Sequence, residues 1–132
     1  MQTVAVDLDG VLAQYDGWRG VDQIGDPIPG ARDFLLAIRV IPAQICIHTT
    51  RTNPDVQVSG RSDLSVAQLL LRVRTWLVKH DLPFDSISCR AGKPLAAAYV
   101  DDRAVVCRPQ SYRMVEYRTA LSQIRWLVEN EH

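Results

Sequence analysis

Long hydrophobic runs and net charge are both lacking in this chain of 132 residues. No stretch approaches the ~20 apolar residues that a membrane span requires, and no basic segment followed by an apolar run opens the chain. Fifteen Lys+Arg balance fifteen Asp+Glu, so net charge gives no reason to expect general binding to nucleic acids or membrane surfaces. We therefore expect a cytoplasmic protein with no membrane partner.

Cysteine is also scarce, and its spacing excludes the common metal and disulfide frameworks. Cys46, Cys89 and Cys107 are an odd number, lie far apart and include no C-x-x-C pair. We interpret them as reduced thiols of the core. The composition, with 47% hydrophobic residues and seven each of Gly and Pro, is that of an ordinary globular protein, and the length predicts a single domain over residues 1–132.

The usual phosphate-binding and hydrolase motifs are missing as well. Gly92-Lys93 lacks the preceding glycine and the following Ser or Thr of a P-loop, and the chain contains no G-x-G-x-x-G and no G-x-S-x-G. These absences argue against a nucleotide cradle of the usual kind.

Short apolar runs alternate with segments of helical periodicity along most of the chain. A loop or flap without a sustained apolar period covers residues 11–29. Ser62 or Asp63 is the predicted N-cap of the helix that carries the stripe from Val66 to Leu77. The predicted strands are 3–6, 43–48, 84–89, 99–100 and 104–107, and the predicted helices are centred on 31–38, 66–77 and 114–128. This order predicts an α/β fold, a three-layer Rossmann-like parallel sheet with helices on both faces.

Polar residues follow several of these runs where the predicted strands end. In open parallel sheets the ligand site lies beyond the carboxyl ends of the strands, so separate segments point to one place. Taken singly, each pair of carboxylates or hydroxyls could instead cap a local turn. The polar segments are Asp7-Leu8-Asp9-Gly10-Val11, Thr49-Thr50-Arg51, Lys93-Pro94 and Asp101-Asp102.

This ordered set resembles the four motifs of the haloacid dehalogenase superfamily. The resemblance spans residues 4–106 and implies a Mg²⁺-dependent phosphatase that forms an aspartyl-phosphate. The stretches 10–29 and 52–92 leave no room for a full cap domain, so the chain looks like a capless member. Val11 stands where Thr is commoner and Thr50 where Gly is frequent, and neither departure removes a catalytic atom.

The residue chemistry agrees with that implication. Asp7 is the candidate nucleophile, because a positioned carboxylate can accept a phosphoryl group. Asp9 is the candidate general acid/base. Lys93 would neutralise the nucleophile and a phosphoryl oxygen, and Thr49 would bind another. The expected substrate contacts are Thr50, Arg51 and the backbone N–H of Leu8.

Four clustered carboxylates are electrostatically unfavourable without a cation, and oxygen ligands suit Mg²⁺. The resemblance implies that the Asp7 side chain, the Asp9 carbonyl and Asp101 are ligands of the ion. Asp102 would either bind the ion directly or contact one of these ligands.

Several alternatives stay open at this point. The same residues would serve a phosphotransferase or a non-catalytic module that binds phosphate and Mg²⁺. The phosphorylated substrate could be a small molecule or a nucleic-acid end, and an open site could be closed by a homo-oligomer or by the loop around Tyr15 and Trp18. An aromatic in that loop could stack on a base or a sugar, although an anchoring role is the simpler interpretation.

Overall fold

The computed structural model describes residues 1–56 and 64–130. Its internal contacts divide the chain into two compact units, residues 1–102 and residues 103–132. The predicted site residues all belong to the first unit, and the prediction of one domain over the whole chain stays a prediction.

The first unit is built on a parallel four-stranded sheet in the order β3-β2-β1-β4. Its strands are β1 (Thr3–Val6), β2 (Gln44–Ile47), β3 (Ser86–Ile87) and β4 (Ala98–Val100). Strand β1 is central and pairs with β2 through Val6 and Ile47 and with β4 through Val6 and Val100. The side chains of Val6, Ile45 and Ile47 are fully buried, as expected for apolar strands inside a parallel sheet. The predicted α/β class is therefore confirmed.

Two predicted strands differ from the structure. The third is only the two residues of β3, although residues 84–89 carry the apolar pattern. The segment Ala104–Cys107 forms no strand in the part of the chain that the structure describes, so the prediction of a strand there is wrong. A short apolar run does not specify a pairing partner, and Pro109 starts a helix directly after this one.

Two helices complete the first unit. Helix α1 (Ala31–Val40) buries Ala31, Leu35 and Ile38 at helical spacing, while Phe34 is 41% exposed. Helix α2 (Val66–Lys79) buries Leu69, Val73, Trp76 and Leu77. Both contribute to the core around Val6, Leu8 and Ile45. Their predicted positions are confirmed, and residues 11–29 contain no helix or strand, as predicted for this loop.

The N-terminus of α2 is closed by a capping box. The Ser65 hydroxyl accepts from the Gln68 N–H at 3.2 Å, and the Gln68 side chain accepts from the Ser65 N–H at 2.8 Å. Two otherwise unpaired donors of the first turn are satisfied in this way. Ser62 and Asp63, the predicted caps, lie outside the described residues, and the cap found is Ser65.

The second unit is helical. It contains α3 (Pro109–Tyr112), which the sequence did not predict, and α4 (Val115–Glu129), which it did. The Glu116 carboxylate accepts from the Arg108 N–H at 3.0 Å and so ties the two helices together.

Cysteine burial differs from the prediction. All three thiols are free, but only Cys46 is buried, and Cys89 and Cys107 are exposed. Their interpretation as core residues is therefore correct for Cys46 alone. Within the described residues, no helix has the length and apolar character to cross a membrane.

Candidate active site

The register of the sheet brings Asp7 and Asp101 to one edge. Val6 of β1 lies opposite Val100 of β4, so the next residue of each strand emerges at the same carboxyl end. The Asp7 N–H donates to the Val100 carbonyl at 2.9 Å and extends the ladder by one step. Asp102 follows directly, and carboxylate oxygens of Asp7, Asp101 and Asp102 all lie within 4.8 Å of one another.

This cluster has a strong effect on Asp7. Burial, and then the negative charge of Asp101, raises the pKa of the Asp7 carboxyl to about 7, with further contributions from Asp102 and Asp9. A hydrogen bond of 2.8 Å from the Leu8 N–H to the Asp7 carboxylate acts in the opposite direction. Asp101 and Asp102 are exposed, whereas Asp7 is half-buried. A cation among these oxygens would remove the repulsion that disfavours the Asp7 anion.

A tight turn fixes the chain beyond Asp7. The Leu8 carbonyl accepts from the N–H groups of Val11, Leu12 and Ala13, and the Leu8 side chain is fully buried. The buried leucine and its backbone bonds anchor the segment that carries both Asp7 and Asp9. The Leu8 N–H, a predicted phosphoryl donor, points to Asp7 in this structure.

Asp9 is not grouped with the three clustered carboxylates and forms an ion pair with Arg51. Arg51 Nε donates to Asp9 Oδ2 at 2.8 Å and Nη2 donates to Oδ1 at 3.0 Å. The pair is largely buried, since 3% of the Arg51 side chain and 16% of the Asp9 side chain are exposed. Such a bidentate contact holds the carboxylate in one orientation.

The segment after β2 is organised by Thr49. Its hydroxyl oxygen accepts from the Arg51 N–H at 3.3 Å and caps the 3₁₀ turn Thr50–Thr52. Thr49 is 4% exposed, whereas Thr50 is exposed. The Thr49 hydroxyl hydrogen can still be donated to a ligand, because a hydroxyl both donates and accepts.

Lys93 lies near the edge strand β4. Its Nζ stands 4.0 Å from the ring centroid of Tyr99, and the Tyr99 hydroxyl donates to the Pro94 carbonyl at 2.5 Å. Tyr99 could not be predicted as a partner of the Lys93-Pro94 segment, because their contact depends on how the chain enters β4.

The aromatic loop residues occupy two different places. The Trp18 ring lies 4.6 Å from Cζ of Arg51, which supports the anchoring interpretation for this residue. Tyr15 instead lines a small cavity of about 80 Å³ beside Asp9, together with Gly17, Arg19 and Gln23. A larger cavity of about 640 Å³ lies between Val21–Asp26 and α2, and none of the predicted site residues lines it.

The backbone partners of Arg51 could not be predicted from the sequence. Its guanidinium also donates to carbonyl oxygens of Gly20, Val21 and Gln23. Every residue carries a carbonyl, so no residue type marks such an acceptor in a sequence. The only available signal was an arginine, with its five donors, directly after a predicted strand.

Comparisons with known proteins give structural neighbours. No protein-family model and no curated protein matches the chain. A crystallised target protein from Vibrio cholerae matches with 25% identity, a TM-score of 0.50 and coverage of 95% of this chain and 98% of its own. A conserved protein from Bacteroides thetaiotaomicron matches with 20% identity, a TM-score of 0.54 and coverage of 93% and 96%. Neither name states an activity.

Proposed function

We propose that the chain is a Mg²⁺-dependent phosphomonoester hydrolase that acts through an aspartyl-phosphate on Asp7. Its fold, in this proposal, is the Rossmann-like fold of the haloacid dehalogenase superfamily without a cap domain, and its compartment is the cytoplasm. The observation that carries the proposal is the meeting of Asp7, Asp101 and Asp102 within 4.8 Å at the carboxyl end of the central strand.

The donor set at this edge fits Mg²⁺. Asp7, Asp101 and Asp102 offer carboxylate oxygens only, and hard oxygen ligands are those that Mg²⁺ prefers. Burial, and then the negative charge of Asp101, raises the pKa of Asp7 to about 7, so the site without a cation disfavours the Asp7 anion. Asp7 and Asp101 would hold the ion, with the Asp9 carbonyl and Asp102 as further ligands. When bound, Mg²⁺ would neutralise these carboxylates and polarise a phosphoryl oxygen.

The first chemical step belongs to Asp7. A carboxylate oxygen of Asp7 forms a bond to phosphorus while the bond from phosphorus to the leaving oxygen breaks, which leaves an acyl phosphate and an alcohol that takes up one proton. The Leu8 N–H donates to this carboxylate at 2.8 Å and fixes its orientation. The buried Leu8 side chain keeps that donor in place.

The second step requires a base. The Asp9 carboxyl is held in place by Arg51, and its carboxylate form would accept a proton from the water that attacks phosphorus. The bond between phosphorus and Asp7 then breaks and returns the free carboxylate. In the first step the same carboxyl, protonated, would supply the leaving oxygen with its proton.

Two polar side chains would stabilise the phosphoryl charge. The Thr49 hydroxyl has a hydrogen to donate, and Lys93 would reach a phosphoryl oxygen after leaving the Tyr99 ring. Thr50 is exposed beside Thr49 and is the remaining proposed contact from this segment.

The test is phosphate release from a panel of aryl, sugar, nucleotide and 3′- or 5′-phosphorylated oligonucleotide esters, with Mg²⁺ or with EDTA. We expect release that requires both Mg²⁺ and Asp7, and Asp7→Asn should lower it by about 10³-fold or more while circular dichroism stays unchanged. Asp85→Asn is a matched control, because Asp85 accepts from the Ile45 N–H at the other end of the sheet.

Other outcomes would change the assignment. Binding of Mg²⁺ and phosphate without turnover of any ester would favour a non-catalytic module. A phosphorylated alcohol that forms when acceptors are added would favour phosphoryl transfer. The preferred ester would decide between small molecules and nucleic-acid ends.

A further inference from the structure

The Arg51 side chain is almost completely buried, and all of its N–H donors have hydrogen-bond partners within the protein. Of its five N–H groups, Nε and one on Nη2 bind the two oxygens of Asp9, at 2.8 and 3.0 Å. The other Nη2 hydrogen meets the Gln23 carbonyl at 3.0 Å, and Nη1 donates to the carbonyls of Gly20 and Val21 at 3.3 and 3.4 Å. An arginine has five donors and no acceptor. No donor is left for a ligand unless one of these contacts opens.

The carbonyl partners belong to one segment. Within the predicted loop 11–29, we reserve the name flap for residues 14–26, because the Gln14 N–H donates to the Asp26 carbonyl at 2.8 Å and closes the base of this segment. Gly20, Val21 and Gln23 lie at its centre, and Trp18 of the same segment places its ring 4.6 Å from the guanidinium carbon. The Arg51 guanidinium therefore contacts the flap in two ways. Its N–H groups bind backbone carbonyls, and its planar face lies against the Trp18 ring.

Asp9 lies under the same segment. The small cavity beside it is lined by flap residues, among them Tyr15, Gly17 and Gln23. A shift of the flap at Gly20–Gln23 would pull on the guanidinium that orients the Asp9 carboxylate. The position of the flap and the orientation of Asp9 are thus mechanically linked through Arg51.

We propose that Arg51 is a positioning residue that latches the flap to Asp9, so that Asp9 is oriented only while the flap is closed. This role differs from the direct substrate contact that the sequence suggested. The part that concerns catalysis rests on the proposed phosphatase function, whereas the latch itself does not.

Lysine cannot replace the latch. Arg51→Lys keeps the positive charge but offers a single ammonium in place of the planar fork that reaches Asp9 and three carbonyls. Trp18→Leu is the second variant, since it removes the ring from the guanidinium and leaves every Arg51 donor in place. The control is Arg39→Lys, because Arg39 also binds a backbone carbonyl and a carboxylate, those of Phe84 and Asp85, away from the flap.

Native trypsin digestion measures directly whether the flap is held closed. Arg19 lies within the flap with 66% of its side chain exposed, and cleavage after it requires the neighbouring backbone to open. Cleavage after Arg74, within α2, reports global unfolding in the same digest. We expect cleavage after Arg19, relative to Arg74, to be at least about tenfold faster in Arg51→Lys and about threefold faster in Trp18→Leu. Arg39→Lys should match the wild type.

Steady-state kinetics on an aryl phosphate with Mg²⁺ test whether Arg51 orients Asp9 for catalysis. A displaced catalytic group costs about 10²-fold in kcat, so Arg51→Lys should lose about that much while KM changes by less than about threefold. Loss of a substrate contact would instead raise KM at similar kcat. Trp18→Leu should show a smaller loss, again in kcat.

The two readouts separate the possible failures. Unchanged cleavage after Arg19 in both variants would overturn the latch, and a raised KM with unaltered kcat would overturn the positioning role. If Arg51→Lys does not fold, Trp18→Leu decides both points. If the wild type releases no phosphate from any ester, the proposed function fails, while the digestion still decides whether the latch exists.

Discussion

Gly10 and Asp102 approach so closely that no side chain fits between them. A Cβ atom on Gly10 would lie 2.8 Å from Cγ of Asp102, and the glycine has a φ of +87°. The turn after β1 and the acidic loop after β4 are therefore in direct contact at the carboxyl end of the sheet. This contact helps to keep Asp102 beside Asp7 within the carboxylate cluster.

Gly10→Ala should damage both the fold and the metal site. The left-handed backbone is unfavourable for alanine, and the new methyl group would push Asp102 away. We expect a loss of roughly 1–3 kcal/mol in the free energy of unfolding, measured by urea denaturation in EDTA, and weaker Mg²⁺ binding by calorimetry. Gly17→Ala is the control, because Gly17 has a positive φ of +130° and no atom within 4 Å of its Cβ position.

Adding Asp102→Ala to Gly10→Ala distinguishes the two causes. If the contact matters, the double variant regains part of the lost stability, whereas Gly17→Ala loses only the backbone contribution. Equal losses in Gly10→Ala and Gly17→Ala would contradict a steric role for Asp102.

The sequence predicted the placement of the acids well, because their position follows from simple topology. Asp7 and Asp101 directly follow apolar runs, and parallel strands that pair in register bring such residues to one edge. It could not predict that Asp9 pairs with Arg51, since that contact depends on the conformation of the loops that carry the two residues. Loop geometry has no periodic pattern that a sequence could display.

Helices were easier to predict than strands, because a helix repeats its apolar pattern over several turns whereas a short strand does not. Leu69, Val73 and Leu77 repeat over the turns of α2 and specify its buried face. The run Ala104–Cys107 is too short to specify a partner, and it forms no strand.

The stability of the metal-free protein should fall as pH rises, because of Asp7. Its pKa is about 7 in the folded protein, against an ordinary value of 3.8 for the unfolded chain, so between these values the folded chain binds a proton that the unfolded chain has released. The stabilising contribution is complete below pH 3.8 and is lost as pH rises through 7.

Asp7→Asn should remove this dependence. In EDTA, the wild type should lose up to a few kcal/mol between about pH 5 and pH 8, while the variant loses less and is the more stable of the two at pH 8. Thermal melts at matched ionic strength measure both, and Mg²⁺ should restore wild-type stability at pH 8. Parallel curves for the two proteins would show that Asp7 is not the group responsible.

Asp101 should affect the nucleophile more than Asp102 does. After burial, the charge of Asp101 is the largest cause that raises the pKa of Asp7, and Asp102 contributes less. Asp101→Asn should therefore lower the pKa of Asp7 further below 7 than Asp102→Asn, as followed by carboxyl carbon NMR titration without metal. The reverse order would mean that Asp102 faces Asp7 more closely than Asp101.

Lys93 is expected to act on the phosphoryl group and to contribute little to the fold. It is exposed, and its ammonium lies 4.0 Å from the Tyr99 ring centroid, a contact worth about 0.5–1 kcal/mol at an exposed site. Lys93→Gln should therefore change the free energy of unfolding by no more than about 1 kcal/mol but lower kcat by about 10²-fold. Lys79→Gln, on α2 at the larger cavity, is the control and should leave kcat unaltered. Full activity of Lys93→Gln would leave the Tyr99 contact as the only role of this lysine and would remove it from the proposed active site.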